Sequence, residues 1–203
     1  MKKTVIGITG GIGSGKSAIL EAFATLGIPS YDCDSRTKEL YREDAALAAQ
    51  VAGLLGSEVL GADGSLDTRK MAASLFGNRI LLEKLEAIVH PAVASDFLRW
   101  AQAQPSDTVI LESAILLEKP FFDKFADYVI TVSAPEEVRV RRAMRRDGAT
   151  REQILRRMAN QWTDAQREAK ADMTIITDDT TAYLPRILEL IENLKKKNNG
   201  NRS

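Results

Sequence analysis

Residues 10–17 read GGIGSGKS and fit the pattern G-x-x-x-x-G-K-[ST]. An apolar, β-branched run, Thr4–Thr9, precedes them. After them Ile19, Leu20, Phe23 and Leu26 share one helical face, and Gly27 and Pro29 end the stripe. Strand, glycine-rich turn and helix in that order constrain the fold more than any other feature of the chain. The turn points successive backbone N–H groups into one concavity, and the helix start adds the positive end of its dipole. Such a nest suits the oxygens of a nucleoside triphosphate. The expected phosphate contacts are Gly11, Ile12, Gly13, Ser14, Gly15, Lys16, Ser17 and Ala18. Lys16 is expected to reach the β- and γ-phosphates of ATP, and the Ser17 hydroxyl to ligate Mg²⁺. The pattern does not say what becomes of the phosphates.

Four further stretches read as strands: 28–31, 109–113, 128–132 and 173–177. Most lack a two-residue alternation, as strands covered on both faces do. Helical spacing fills the gaps, including a C-terminal stripe of Leu184, Ile187, Leu188, Ile191 and Leu194. The tail from residue 195, KKKNNGNRS, has no core-forming residue and is expected to fray. The pattern predicts a three-layer α/β fold, a P-loop NTPase fold with a five-stranded parallel sheet and right-handed crossovers. Residues 35–106 break the rhythm, with helical patterns, almost no strand signal, and Gly56, Gly61 and Gly64 punctuating a loop. They are expected to form a helical, acceptor-binding insertion. The nucleotide-binding core then comprises 1–34, 107–138 and 166–197, with a lid at 139–165.

Zero net charge over 203 residues argues against a general nucleic-acid or membrane-surface binder. No run approaches the roughly 18 apolar residues of a membrane span. The start, MKKTVIGITGG, imitates a signal peptide only faintly and reads as a strand. One cysteine precludes an internal disulfide framework and suits the cytoplasm. The chain is expected to act as a monomer or weak homo-oligomer.

The second predicted strand runs into Asp32-Cys33-Asp34. In a parallel β-α-β unit both strands end at the same sheet edge, where ligands bind, so this triplet is expected to face the phosphates. A zinc site needs three or four Cys or His ligands, and the chain has one of each. Cys33 reads as a small buried hydrophobe. A carboxylate beside a phosphate loop can take a proton from an attacking hydroxyl or hold water on a metal, and either aspartate can instead cap the next helix. Asp34, nearer the insertion, is the expected base, with Asp32 as its catalytic neighbour.

Residues 139–157 hold eight arginines against Asp147 and Glu152, a surplus of six positive charges. Ser133 with Glu136, and Thr150 with Gln153, read as capping boxes of two helices broken at Asp147-Gly148. Arg139, Arg142 and Arg146 share a face of the first helix. Arginine forks stabilise charge on a transferring phosphoryl group, so Arg142 and Arg146 are the expected contributors from a closing lid. The remaining arginines are expected at the surface.

Taken in order, GITGGIGSGKS, GIPSYDCD, DGSLDTRKMAASLF, LEAIVHP, VILESAILLE and APEEVRVRRAMRRDGATREQILRRMANQ resemble the dephospho-coenzyme A kinases. The resemblance runs from about residue 4 to residue 178. It implies ATP-dependent phosphorylation of the ribose 3′-hydroxyl of dephospho-coenzyme A, on a core, helical acceptor domain and lid. By position it makes Asp34 the base, Arg142 and Arg146 the lid arginines, and His90-Pro91 an acceptor-domain motif. Ser113–Glu118, with Ala114, Leu116, Leu117 and Glu118, would line the acceptor site. The family usually has Asp and Pro where Glu112 and Ala114 stand; Glu112 keeps a carboxylate able to hold Mg²⁺ through water. The asparagine and glycine usual after the last strand are missing from ADMTIITDD. A lone His before Pro also reads as a turn or capping residue.

Two alternatives stand beside this. One is a kinase for another small acceptor, of nucleoside monophosphate or shikimate type. The other is a GTPase-like switch, which the lack of N-K-x-D and of D-x-x-G after a strand disfavours.

Overall fold

The computed structural model describes residues 3–119 and 121–200. The chain divides into two compact units, Met1–Ser30 with Pro105–Ser203, and Tyr31–Gln104.

The first unit is built on the sheet. Strands β1 (Thr4–Thr9), β2 (Ser30–Asp32), β3 (Thr108–Glu112), β4 (Tyr128–Ser133) and β5 (Met173–Ile176) run in the order β2-β3-β1-β4-β5. β1 lies centrally, parallel to β3 in the register Ile6↔Ile110 and to β4 in the register Ile8↔Ile130. β5 continues outward, parallel to β4. The second strand starts two residues later than its apolar composition suggests, because Pro29 contributes only its carbonyl, accepting from Ile110 N–H at 2.9 Å.

Helix α1 (Lys16–Thr25) buries Ile19 and Phe23 against Ile6, Ile8, Ile110, Ile130 and Ile175. Burying these large side chains is the main force holding helix to sheet, worth about 1.5–3 kcal/mol for each. The C-terminal stripe differs from expectation: the core takes Ile187 and Leu190, whereas Leu184 and Leu188 are more than 40% exposed. Its helix, numbered α9 below (Leu184–Gly200), also continues through the tail expected to fray from residue 195; residues 201–203 lie outside the described residues.

The second unit is helical. It contains α2 (Cys33–Glu43), α3 (Ala45–Leu55), α4 (Thr68–Leu75) and α5 (Arg79–Ala103). α5 packs against α2, α3 and α4. Their inward faces bury Leu40, Leu47, Val51, Met71, Leu85, Val89, Val93 and Phe97. Asp44 caps α3, accepting from Ala46 and Leu47 N–H, Asp67 caps α4, accepting from Arg69 and Lys70 N–H, and Asn78 caps α5, accepting from Leu81 N–H. A polar cluster ties the start of the unit to α5. The buried Asp96 carboxylate accepts from Tyr31 Oη at 2.8 Å, Arg36 Nε at 2.8 Å and Arg99 Nη2 at 3.1 Å.

Back in the first unit, α6 (Glu136–Asp147), α7 (Arg151–Met158) and α8 (Asp164–Glu168) lie between β4 and β5, ahead of α9. α6 stops at Gly148, whose φ is 63°, and Thr150 with Gln153 forms the predicted capping box of α7. The box predicted at the start of α6 does not form. Ser133 is the last residue of β4, Pro135 holds the cap position, and the Ser133 hydroxyl donates to Asp164 Oδ2 at 3.2 Å.

Candidate active site

The loop after β1 has the geometry its composition demands. Gly15, at φ 91°, caps α1 with no side-chain hydrogen bond, so the first turn of the helix meets the loop directly. Gly13, at φ 74°, passes so close to α6 that an added Cβ would lie 2.2 Å from the Arg139 carbonyl oxygen. Any side chain would push the loop off the helix. Lys16 Nζ donates to Gly10 O at 2.8 Å and lies 3.7 Å from Glu112 Oε1. Glu112 is buried at the end of β3, and Ser17 is exposed in the first turn of α1. A hydroxyl and a carboxylate are hard oxygen donors of the kind Mg²⁺ takes alongside phosphate oxygens and water. Among the described residues no group of three or more His, Cys, Asp or Glu could hold a metal without such help.

Further residues, most of them not singled out by the sequence, close around this loop. Thr177, just past β5, donates its hydroxyl to Ser14 O at 2.5 Å and accepts from Arg142 Nη1 at 2.9 Å. Arg142 Nη2 donates to Thr177 O at 2.7 Å and to the Asp179 carboxylate. Arg139, expected at the surface, is buried. Its Nε donates to Ile12 O at 3.0 Å and its Nη1 to Asp164 Oδ2 at 2.7 Å. Gln161 Oε1 accepts from Ile12 N–H at 3.0 Å. Arg167 is fully buried, donating to Glu118 Oε1 at 2.8 Å and to Asp164 Oδ1 at 3.3 Å. Ser14 Oγ and Arg167 Nε have no hydrogen-bond partner among the described residues. A local sequence pattern, T-x-x-Q at residues 163–166, could have led here. Thr163 and Gln166 form a capping box that places α8, and with it Asp164 and Arg167.

The other expected residues have varied places. Arg146 pairs with Asp147 at 2.6 Å, and Arg157 shares that carboxylate, holding it well below the usual carboxylate range. Ala114 and Leu117 are half-buried on the turn after β3. Leu116, expected to line the acceptor site, is fully buried, and its side chain packs under Gly7. Glu118 is engaged by Arg167 and by Trp162 N–H at 3.2 Å.

In the helical unit, Asp32 is the cap of α2. Its Oδ1 accepts from Ser35 N–H at 3.0 Å and its Oδ2 from Ser35 Oγ at 2.7 Å. Asp34 follows β2 by two positions and lies exposed in the first turn of the same helix; Cys33 is buried. His90 is neither a turn nor a cap. It lies within α5, half-buried, with Pro91 also inside the helix. The helix runs on for a turn or more on both sides, and packing of Leu85, Val89, Val93 and Phe97 outweighs the local bias against it.

A parallel sheet that feeds such a loop from its central strand, with Lys16 beside a carboxylate at the end of the neighbouring strand, defines a P-loop NTPase fold. Solved structures of the class agree. The shikimate kinase of Bacteroides thetaiotaomicron superposes with a TM-score of 0.53 at 16% identity, over 93% of this chain and 98% of its own, a likeness of fold alone. Within the class, the chain belongs to the dephospho-CoA kinase family, whose model matches residues 4–182. The dephospho-CoA kinase of Porphyromonas gingivalis is 40% identical over 193 residues, 95% of each chain. The Thermus thermophilus protein TT1252 superposes with a TM-score of 0.84 at 31% identity, over 95% of this chain and 98% of its own.

Proposed function

We propose that this chain transfers the γ-phosphoryl group of ATP to the ribose 3′-hydroxyl of dephospho-coenzyme A, giving coenzyme A and ADP, the last step of coenzyme A synthesis. The observation that carries the reading is a family match spanning 4–182 on a chain whose loop has the backbone of a phosphate nest. Lys16 Nζ, on the Gly10 carbonyl and near Glu112, holds a positive charge at the loop, where β- and γ-phosphate oxygens would take its hydrogen bonds.

Asp34 takes the proton of the attacking hydroxyl. Asp32, the other candidate, has both oxygens engaged in the Ser35 cap, so its part is to fix the first turn of α2 on which Asp34 stands. Arg142 and Arg146, on α6, meet charge spreading over the equatorial oxygens, and residues 139–165 serve as the lid. Arg142 must then exchange Thr177 and Asp179 for phosphate. Ser17 and Glu112 would hold Mg²⁺, Glu112 through water; the ion neutralises phosphate charge when bound. His90, Ala114, Leu117 and the backbone around Leu116 are assigned to the acceptor side. The enzyme is cytoplasmic in this reading, as its single cysteine suits. Among the described residues no helix is long and apolar enough to cross a membrane.

The test is an acceptor panel. With Mg·ATP, the chain should convert dephospho-coenzyme A into a product heavier by one phosphoryl group and blocked at the 3′-oxygen. Shikimate, gluconate and nucleoside monophosphates should give at most background ADP. Turnover of one of those, with dephospho-coenzyme A inert and the protein folded, would overturn the assignment.

A further inference from the structure

Position 12 of the chain is an unspecified x in the phosphate-loop pattern, yet the structure holds it three ways. Its N–H donates to Gln161 Oε1 at 3.0 Å, from the segment between α7 and α8. Its carbonyl accepts from Arg139 Nε at 3.0 Å, from α6. Its side chain packs against the small core of α6 and α7, formed by Val140, Ala143 and Ile154 with Leu155 and Met158 around it. Gly13, next along, lies directly on the α6 backbone. All these residues belong to one compact unit.

We propose that Ile12 is a positioning residue, the anchor through which α6, α7 and Gln161 hold the phosphate loop in its binding shape. The inference rests on the reading that this loop takes the phosphates of a nucleotide. A loop free at its tip must lose backbone freedom when the anion arrives, and that loss weakens binding. Three holds on one residue remove much of that freedom beforehand. The N–H of residue 12 is committed to Gln161, so its contribution is shape rather than contact with phosphate. The core that fixes the tip is also the core of the arginine-bearing helices, so disturbing their packing changes nucleotide affinity without touching a phosphate-binding atom.

The experiment is calorimetric titration of Mg·ADP into wild type, Gln161→Met, Ile12→Ala and the double variant, with Michaelis constants for both substrates. Gln161→Met keeps length and removes the acceptor. It should weaken ADP about 3- to 10-fold, the size of one hydrogen bond. Ile12→Ala should weaken ADP by about 10-fold, and the double variant by clearly less than the product, because both changes release one residue. KM for ATP should rise in step while KM for the acceptor stays. If Ile12→Ala does not fold, Gln161→Met alone decides. ADP affinity within twofold of wild type in the single variants overturns the inference. So do factors that multiply in the double variant, or an equal rise in acceptor KM, which would mark general loosening. A wild-type chain that binds no ADP overturns the nucleotide reading itself, and the anchor with it.

Discussion

Glu118 separates two accounts of the turn after β3. By family position it would line the acceptor site; in the structure it is the main counter-charge of a guanidinium with 0% exposure. Glu118→Ala leaves Arg167 with Asp164 Oδ1 at 3.3 Å, while its Nε is already without a partner. Removing one member of a buried ion pair costs about 3–5 kcal/mol. Retention of Asp164 favours the lower end, and the lost bond from Trp162 N–H adds about 1 kcal/mol. The expected loss is about 3–4 kcal/mol, a large share of the roughly 5–15 kcal/mol of a typical domain. Glu118→Gln keeps the acceptor oxygen and loses only the charge, so about half that loss is expected. Urea unfolding followed by circular dichroism reads the stability, and KM for dephospho-coenzyme A is measured on the folded fraction. If Glu118→Ala costs under about 1 kcal/mol and raises that KM tenfold or more, Glu118 is an acceptor ligand and the ionic account is wrong.

Lys16→Ala should abolish measurable ADP binding in calorimetry and phosphoryl transfer with it, while the circular dichroism spectrum stays that of wild type; transfer at a wild-type rate would remove the lysine from the phosphate site. Asp34→Asn should lower kcat about 10²–10⁴-fold with KM for ATP unchanged, the range for loss of a general base. A drop under tenfold would reduce Asp34 to positioning. Burial pushes the Asp96 carboxyl up, but hydrogen bonds from Arg36 and Tyr31, with the charges of Arg36 and Arg99, outweigh it and hold the group below its ordinary 3.8. A depressed carboxylate contributes stability above its unfolded value and loses it as pH falls through the folded one. Wild type should therefore lose its advantage over Asp96→Asn in urea midpoint as pH falls below the ordinary 3.8 and through the lowered folded value; a constant difference would refute the linkage.

The elements legible in the sequence were those whose signals are local. β1 was expected and found at Thr4–Thr9. The helix after the loop, the break at Gly148 and the capping box of α7 followed from residues a few positions apart. The same locality caused the misses. Ser133 and Glu136 have box spacing, but whether Ser133 ends a strand or starts a helix is set by the pairing of β4 with β5. His90-Pro91 carries a local bias against helix that the packing of α5 against α2, α3 and α4 outweighs. The polar contacts that shape the loop join residues 12 and 161, 14 and 177, and 118 and 167, separations no periodicity records.

The arginines show why one charge count could not assign their roles. The surplus of six over 139–157 is a property of the window, and the neutralising acids lie mostly outside it. Arg151 pairs with Glu137, Arg139 with Asp164, and Arg141 and Arg142 with Asp179; Asp147, shared by Arg146 and Arg157, is inside. Helical spacing put Arg139, Arg142 and Arg146 on one face, yet their surroundings differ along it. Near the start of α6 the neighbour is the phosphate loop itself, so Arg139 is buried and bonds a loop carbonyl. One turn on, Arg142 reaches the backbone past β5 and a carboxylate that phosphate can replace. A further turn on, Arg146 meets only the acid at the end of its own helix. The depth of each arginine thus follows its distance along α6 from the loop. A fixed contact suits the buried end, and an exchangeable one suits Arg142 and Arg146 in the nucleotide-facing role proposed for them.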